Sequence, residues 1–452
     1  MPTWFETSQI GQALGELVDL PETNALYKSA PPPFGHPMLK CFGFDPDYIN
    51  LNHAAYGSLS NPVREAAEAL SALVERNPDK FNRLIYQRLL VRARERLAKF
   101  IGAETDEVVL VLNASLAIAT VLRNFEWQEG DILIGATTTY NSILKTLQHI
   151  SDVSPHPALS HFDLQFPTTH AHIVASFREH LRALPRRAAT DNPNSPQKIV
   201  AVIDSIASVP GVLLPWRDMV NICREEGVWS VIDGAQSMGQ EVGLDVGASG
   251  CDFWTSNCHK WLIGKRSSAV LYVPKRNQYM IKSPIPTPAT YAPRADAAFP
   301  GMVVMFEWNG TVDFVPSLTV DAALDFRQWL GGEAKINGYC HALALAGGKR
   351  MAEILGTEVM HGKDEDELTL NMVNVALPIP ASIYTPAIDQ IFRERLLNGA
   401  NTYVAHYVHN GRVWVRCSAQ IWNEVGDFEY AARALKGICA DIVEAHNDKE
   451  QL

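Results

Sequence analysis

The sequence predicts an α/β fold in which helices cover both faces of a mostly parallel sheet. Short apolar runs of strand length, such as EVVLVLN at 107–113 and VWSVID at 228–233, recur in the first half of the chain. Stretches of helical length separate these runs, and strands that alternate with helices are typical of parallel sheets. The 452 residues are 47% hydrophobic and 20% charged, a globular composition that can fill a large core.

The predicted elements begin after a turn-rich arm at 1–50, which contains APPPFGHP and FDPD. Two helices are expected next, and strands then alternate with helices. The strands are nearly continuous apolar runs, which indicates burial on both faces. The predicted helices are 61–76, 84–100, 114–125, 140–150 and 216–227, and the predicted strands are 107–113, 131–136, 199–207, 228–233, 251–257 and 267–274.

The last part of the chain is predicted to form a smaller α+β domain. A long helix is expected from about Ser317, and strands are expected at 373–379 and 412–421, the second followed by a helix. Polar, Pro-rich or acidic stretches predict loops at 184–198, 285–301 and 361–367. We therefore predict three parts, which are an arm at 1–50, a large domain at 51–315 and a small domain at 316–452.

Charge and cysteine usage narrow the class of protein. A formal net charge of −11 argues against a nucleic-acid-binding or membrane-surface protein, because phosphate binding needs clustered basic residues. The seven cysteines are scattered without a C-x-x-C pair, which indicates reduced thiols and no metal site. The sequence has no apolar run of about 18 residues and no signal-peptide pattern. A cytoplasmic protein is therefore expected.

Polar side chains follow the ends of the predicted strands, where open parallel sheets bind their ligands. The Asn113-Ala114-Ser115 segment ends one strand and opens a helix, so its N–H groups and hydroxyl can hold a phosphate. Neither G-x-G-x-x-G nor G-x-x-x-x-G-K-[ST] occurs, which argues against a bound dinucleotide or a P-loop nucleotide. The further strand-end residues are Tyr140, Asp204, Asp233, Gln236, Asn257, His259 and Lys260.

A phosphate site, an aspartate and a lysine at one sheet edge predict a site for pyridoxal phosphate (PLP). The lysine amine forms a Schiff base with the aldehyde. The aspartate keeps the pyridine nitrogen protonated, so that the ring accepts electrons from the substrate. An aromatic side chain such as Tyr140 serves as a partner for the flat ring.

Simpler roles stay open for most of these residues. Asp233 and Ser115 could cap helices, and Tyr140 could pack in the core. Asp204 could equally stabilise a turn or contact the cofactor ring. His53 and Tyr56, in a glycine-containing loop, could line the substrate pocket or form an ordinary turn.

Five motifs resemble the class V aminotransferase family of fold type I PLP enzymes. They are LNHAAYG, VIDGAQ, SNCHKWL, WNGTVD at 308–313 and VRCSAQIWNEVGDFE. Within the family the sequence is most similar to the isopenicillin N epimerase-like branch, which includes hercynylcysteine sulfoxide lyases and the PLP enzyme of loline-alkaloid synthesis. The resemblance implies a fold type I structure with a seven-stranded-type sheet.

The resemblance also implies roles for single residues. Lys260 carries PLP, Asp233 meets its pyridine nitrogen and Gln236 its phenolic oxygen. Arg416 clamps a substrate α-carboxylate, and Tyr140 lies over the ring and can move protons. Thr311 reaches the phosphate of the neighbouring subunit, which implies a homodimer with shared sites. The residues implied to hold the phosphate are Ala114, Ser115, Asn257 and His259.

The implied reaction begins on an amino-acid substrate and proceeds without net amino transfer. Bond formation or ring closure in small-molecule biosynthesis, as in the loline-type enzyme, is the first expectation. C–S cleavage of a cysteine sulfoxide conjugate is the alternative, and epimerisation is the third. A hercynylcysteine-type substrate should require a second cation, and Arg412 is the candidate near Arg416 in the sequence.

Overall fold

A seven-stranded sheet forms the centre of the computed structural model, which describes residues 25–187, 196–293, 301–362, 364 and 366–450. A three-stranded and a two-stranded sheet accompany it. The strands are Ile49–Asn50 (β1), Val108–Val111 (β2), Ile132–Ala136 (β3), Ala158–Phe162 (β4), Ile199–Asp204 (β5), Trp229–Asp233 (β6), Phe253–Asn257 (β7), Ala269–Tyr272 (β8), Met372–Pro380 (β9), Thr402–Tyr403 (β10), Ala405–His409 (β11) and Arg412–Ser418 (β12).

The large sheet is mostly parallel, as predicted. Its strand order is β2-β8-β7-β6-β5-β3-β4. All pairings from β7 to β4 are parallel, whereas β8 runs antiparallel to both of its neighbours. Consecutive residues of one strand pack into different cores, since Leu133 and Ile134 belong to separate buried clusters. The sheet is therefore covered on both faces, and the predicted α/β class is confirmed.

Helices surround this sheet and pack on the smaller one. A π-helical turn at Phe81–Ile85 precedes the second long helix. The α-helices of the described chain are His53–Tyr56, Asn61–Arg76, Pro78–Lys80, Tyr86–Ile101, Ala114–Asn124, Asn141–Asp152, His170–Ala183, Trp216–Glu225, Val246–Ser249, Met302–Glu307, Val315–Leu318, Val320–Trp329, Glu333–Leu355, Pro386–Glu394 and Val425–Glu450.

The single long helix expected from Ser317 is wrong. Three helices occupy this region, at Val315–Leu318, Val320–Trp329 and Glu333–Leu355. Gly331 and Gly332 separate the last two with φ values of 107° and 83°. Glycine reaches these angles without a steric penalty, so the pair ends one helix and starts the next.

Around the large sheet, the predicted set lacked one strand and the long helix that follows it. β4 reads ALSHF, and its residues are half-exposed at the edge of the sheet, so it lacks the apolar run of its neighbours. The helix at His170–Ala183 follows it, and three of its residues, Ile173, Phe177 and Leu181, are buried. Its histidines and exposed positions weaken the apolar period.

The smaller sheet has the antiparallel order β11-β12-β9. Helices Glu333–Leu355 and Val425–Glu450 pack on one face of it through apolar residues such as Leu343, Phe428 and Leu435. The pair β1 and β10 joins the end of the arm to this part of the chain. The division at 50 and 315 stays a prediction, and residues 320–324 pack on the core beside the large sheet.

The predicted arm and loops lie only partly in the described chain. Residues 1–24, 188–195 and 294–300 and the positions 363 and 365 fall outside it. The described part of the arm carries short 3₁₀ helices at Ala25–Lys28 and His36–Cys41. Phe42 of the arm packs on Phe326 and Trp422. None of the helices in the described ranges is long and apolar enough to cross a membrane.

Candidate active site

Lys260 lies beside two carboxylates at one end of the large sheet. It follows β7, while Asp204 and Asp233 are the last residues of β5 and β6. These aspartates are register partners on adjacent parallel strands, and each is 4% exposed. The fold thus brings together the lysine and both aspartates that the sequence placed at separate strand ends.

Burial and charge set the protonation of this group. Burial lowers the pKa of Lys260 to about 8, although Asp233 opposes this effect; Arg416 lowers it further. Burial and the neighbouring Asp233 carboxylate raise the pKa of Asp204 well above its usual value. Burial also raises the pKa of Asp233, against the effects of the Ala235 N–H and Lys260. The Lys260 amine is therefore partly neutral near pH 8 and available as a nucleophile.

The start of helix Ala114–Asn124 lies against the end of β7. The Asn113 carboxamide oxygen caps the helix by accepting from the Leu116 N–H at 2.9 Å. The Asn257 oxygen accepts from the Ala114 N–H at 3.0 Å, so that donor is already used. Among the described residues, Ser115 has no partner for its N–H or hydroxyl. Ser115 is thus the open donor at this helix start.

His259 and Gln236 are held by the protein through specific atoms. His259 Nδ1 lies 3.2 Å from the Ser268 carbonyl, and burial lowers the pKa of His259 to about 4. A neutral ring that donates through Nδ1 leaves Nε2 as an acceptor. Gln236 donates to the Ala54 carbonyl at 3.1 Å and accepts from Trp261 Nε1 at 2.7 Å. Both side chains are fixed before any ligand arrives.

Arg416 is a buried cation that lies close to Lys260. Its side chain is 2% exposed, and its charge lowers the pKa of Lys260. Nη1 donates to the Ser208 carbonyl at 2.6 Å, Nη2 donates to Asn52 Oδ1 at 3.1 Å, and Nε has no partner. All of these partners are neutral, and no carboxylate of the described residues lies within ion-pair distance.

The other buried arginines differ from Arg416 in this respect. Within the described ranges, Arg94 and Arg327 are also buried. Arg94 pairs with Glu307 at 3.1 Å, and Arg327 pairs with Glu333 at 2.6 Å. A buried charge is costly without a counter-ion. Arg416 therefore has the environment of a receptor for an anionic group that none of the described residues supplies.

The segment Asn52–Gly57 contacts several residues of the site. Asn52 holds Arg416, and His53 Nε2 lies 2.9 Å from the Lys260 carbonyl. The Ala54 carbonyl accepts from Gln236, and the Ala54 N–H donates to the Ser418 hydroxyl of β12 at 3.2 Å. One short segment thus connects the lysine to the arginine.

Gly57 shows how closely this segment packs. A Cβ atom at Gly57 would lie 1.6 Å from the His259 carbonyl oxygen, and the residue has a φ of +67°. The Gly57 carbonyl accepts from Arg266 Nη1 at 3.1 Å. Glycine is required here both by the backbone angle and by the close approach.

His53 is buried, and its expected place in the substrate pocket stays a prediction. It is 1% exposed, and its ring contacts the Trp261 and Trp422 rings edge-on at 5.4 and 5.1 Å. Burial lowers the pKa of His53 to about 3, so the ring is neutral and donates through Nε2 to the Lys260 carbonyl. The histidine therefore holds the backbone of Lys260 through this hydrogen bond.

The remaining predicted residues lie at the rim or apart. Tyr140 precedes helix Asn141–Asp152 and is 47% exposed, yet it is close enough to affect the pKa of Arg416. Tyr56 is 73% exposed, and Thr311 is exposed in the turn before helix Val315–Leu318. Arg412, the candidate for a second cation, pairs with Glu358 and is exposed.

Sequence reasoning missed three residues that hold or flank Arg416. They are Asn52, Asn374 and Tyr403. Asn374 is the register partner of Arg416 and connects Gly211 with the Tyr407 hydroxyl. Asn52 stood in the quoted LNHAAYG motif, but the pairing with a strand 364 residues away has no local sequence signal.

Sequence comparison assigns the chain to a family. A family model described as Aminotransferase class-V matches residues 59–383. The chain belongs to the class V aminotransferase family. The predicted family is therefore confirmed, and with it the prediction of a PLP-dependent enzyme.

Relatives with known names cover most of this class V chain. An L-cysteine desulfhydrase-like protein of Epichloe uncinata, lolT1, is 33% identical over 91% of this chain and 97% of that protein. The hercynylcysteine sulfoxide lyase of Schizosaccharomyces pombe is 27% identical over 90% and 98%. Among solved structures, a complex of the cystine C–S lyase C-DES with its product cysteine persulfide has a TM-score of 0.70 at 16% identity, covering 89% of this chain and 99% of that chain. This structural likeness concerns the fold.

The residues at the sheet edge fit PLP. The group needs an amine, an acidic partner, phosphate donors and a place for a substrate anion. Lys260, the Asp204–Asp233 pair, the open Ser115 donors and Arg416 supply these in one place. Asp204 Oδ2 and Arg416 Nε are buried without partners, as expected of atoms that face a ligand.

Proposed function

We propose that this enzyme acts on an α-amino acid whose carboxylate binds Arg416, and that it cleaves a C–S bond of a cysteine-derived substrate without net amino transfer. The observation that carries the first part is the buried Arg416 guanidinium, which lies close to Lys260 and has only neutral partners. A carboxylate accepting from Nε and Nη2 would supply the missing charge in bidentate geometry.

The proposed residue roles follow from this geometry. Lys260 would hold the cofactor covalently, Asp233 would face its ring nitrogen, and Ser115 with the Asn257 amide would hold its phosphate. His259 would join them in its imidazolium form, which the phosphate charge favours and in which Nε2 donates. PLP, when bound, would supply an electron sink for the carbon skeleton of the substrate. The Lys260 amine would take a proton from the substrate Cα, because its lowered pKa of about 8 leaves it partly neutral near that pH. Tyr140, which is close enough to affect the pKa of Arg416, would serve as a second proton donor.

Names of the relatives favour C–S cleavage among the reactions considered. One is called an L-cysteine desulfhydrase-like protein and another a hercynylcysteine sulfoxide lyase. The loline-type bond formation and the epimerisation expected from the sequence remain the competing reactions. All three start with the same amino-acid binding step and differ in the product, so product analysis separates them.

A substrate panel tests the proposed reaction. The holoenzyme is incubated with L-cysteine, S-substituted cysteines and their sulfoxides, and pyruvate and sulfur products are measured. C–S cleavage predicts both products from at least one compound. A new C–N or C–C bond, or inverted configuration at Cα without cleavage, would replace this assignment by one of the competing reactions.

Arginine variants test the carboxylate site separately. Arg416→Gln should raise KM more than it lowers kcat, because the carboxylate stays charged throughout the reaction. Loss of this charged fork is worth about 2–4 kcal/mol, or tens- to several-hundredfold in kcat/KM. Arg94→Gln is the matched control, since it removes a buried arginine that already pairs with Glu307. An unchanged KM in Arg416→Gln would contradict the assignment.

Assembly and location complete the proposal. We expect a homodimer in which Thr311 reaches the neighbour's phosphate site, since the WNGTVD segment is exposed at Thr311 and Val312. We also expect a cytoplasmic enzyme of small-molecule biosynthesis, in keeping with the seven buried free thiols.

A further inference from the structure

A hydrogen-bonded cluster lies in the smaller α/β part of the chain. Tyr384 Oη lies 2.8 Å from Asp389 Oδ1 and 2.7 Å from His406 Nδ1. His406 Nδ1 lies 2.9 Å from the same carboxylate oxygen, and Arg393 pairs with Asp389 at 2.5 Å. The His406 side chain is only 1% exposed. The cluster therefore fixes the orientation of the buried imidazole.

These contacts determine which nitrogen of His406 carries the proton. The Asp389 carboxylate is ion-paired and can only accept, so the Tyr384 hydroxyl donates to it. His406 Nδ1 must then donate to the Tyr384 or Asp389 oxygen. Burial lowers the pKa of His406, which keeps the ring neutral. Nε2 is therefore an acceptor, and the hydroxyl of Tyr403 faces it at 3.5 Å.

Tyr403 lies next to the proposed carboxylate site. In the β1–β10 pair its register partner is Asn50, two residues before the Asn52 that holds Arg416. Two residues after Tyr403, Ala405 is the register partner of Arg416. The Tyr403 phenol also lies near the Arg416 guanidinium and the Tyr56 phenol.

We propose that Tyr403 contacts the substrate of this site and recognises a hydrogen-bond donor that the substrate carries in addition to its α-carboxylate. His406 and Asp389 are the residues that position the Tyr403 hydroxyl. This inference rests on the proposed function. Once its hydrogen is donated to His406 Nε2, the Tyr403 oxygen keeps its lone pairs for a ligand, and the Arg393 guanidinium lies close to it.

The substrate class follows from this polarity. A phenol that already donates to histidine accepts from a hydroxyl, an ammonium or an amide N–H of a ligand. An apolar side chain in the same place would leave the oxygen unpaired and lose affinity. The Tyr403–His406 contact is long at 3.5 Å, and we expect it to shorten when a ligand binds. The site should therefore prefer amino acids whose side chains carry a donor.

Equilibrium binding of matched amino acids to the holoenzyme tests this proposal. The probes are L-serine with L-alanine and L-homoserine with L-2-aminobutyrate, and their dissociation constants are measured by calorimetry. The wild type should bind at least one hydroxyl-bearing member more tightly than its partner. Tyr403→Phe should weaken that member about five- to tenfold and leave the partner within about twofold, as expected for one neutral hydrogen bond.

His406 variants test the positioning role. His406→Phe should reproduce the selective loss, and His406→Gln should restore part of it, because the amide can accept from Tyr403 while donating to Asp389. Tyr430→Phe is the control, since Tyr430 is 43% exposed on the helix Val425–Glu450. If His406→Phe does not fold, Tyr403→Phe decides alone.

Three results would overturn the proposal. If Tyr403→Phe weakens the binding of both members of a pair equally, Tyr403 only supports Arg416. If the variant weakens neither, Tyr403 does not contact the substrate. Either result leaves the proposed function intact. A wild-type holoenzyme that binds none of the four amino acids, nor any cysteine derivative, would overturn the proposed function together with this inference.

Discussion

At the scale of single residues, the lowered pKa of Lys260 depends on neighbouring residues that could not be identified from the sequence alone. The resemblance named the lysine, but its low pKa comes from burial beside Arg416, which lies 156 positions later in the chain. The strand ends could be predicted because each apolar run stops at a polar residue. The hydrogen bonds of His53 and Asn52 could not, because their partners lie on distant elements.

The rate at which PLP recombines with the apoenzyme should report the Lys260 pKa. The neutral amine is the reacting form, so the rate should rise with pH and level off above about 8, well below the ordinary value of 10.5. Arg416→Gln removes a positive charge that disfavours the ammonium form, so its inflection should move to higher pH. An inflection near 10.5 in the wild type, or a downward move in the variant, would contradict this environment.

A variant of Tyr140, which lies at the rim of the site, distinguishes a role in proton transfer from a role in packing. Tyr140→Phe keeps the ring and removes the hydroxyl, so a proton-transfer role predicts a loss of about 10²–10⁴ in kcat with little change in KM. Rapid-mixing and steady-state kinetics measure both quantities. Near-normal kcat would leave Tyr140 as a packing surface and assign the proton transfers to Lys260 alone, because His53 is buried beneath the lysine.

At the scale of elements, the apolar core strands were predictable and the edges were not. β5 and β6 are buried along nearly their whole length and were found within a few residues of their ends. β4 is half-exposed at the sheet edge and carries no such signal. The helix break at Gly331–Gly332 depends on two positive φ angles, and glycine alone does not reveal that it adopts them.

The segment Asn52–Gly57 makes a prediction at this scale. Gly57→Ala should destabilise the enzyme and speed the loss of PLP, because the new Cβ would overlap the His259 carbonyl. The positive φ alone costs about 1 kcal/mol. Gly243→Ala is the matched control, with a φ of +68° and no atom within 4 Å of the added carbon. Thermal unfolding and PLP retention should be worse in Gly57→Ala; equal behaviour would show that the close contact contributes nothing.

At the scale of the whole molecule, we expect two chains to assemble around shared sites. The described chain leaves Thr311 and Val312 exposed in a turn, where a second subunit could cover them. An isologous dimer with two shared sites is expected. Sedimentation at working enzyme concentration should give twice the chain mass. An active species with the mass of one chain would remove Thr311 from the site.

The attachment point of PLP tests the central claim most directly. The holoenzyme is reduced with borohydride, digested, and its peptides are mapped by mass spectrometry. We predict the pyridoxyl group on Lys260, which lies beside the Asp204–Asp233 pair. Lys265 is a nearby alternative, half-buried and 3.7 Å from Asp313. A label on Lys265, or on any lysine other than Lys260, would contradict the site.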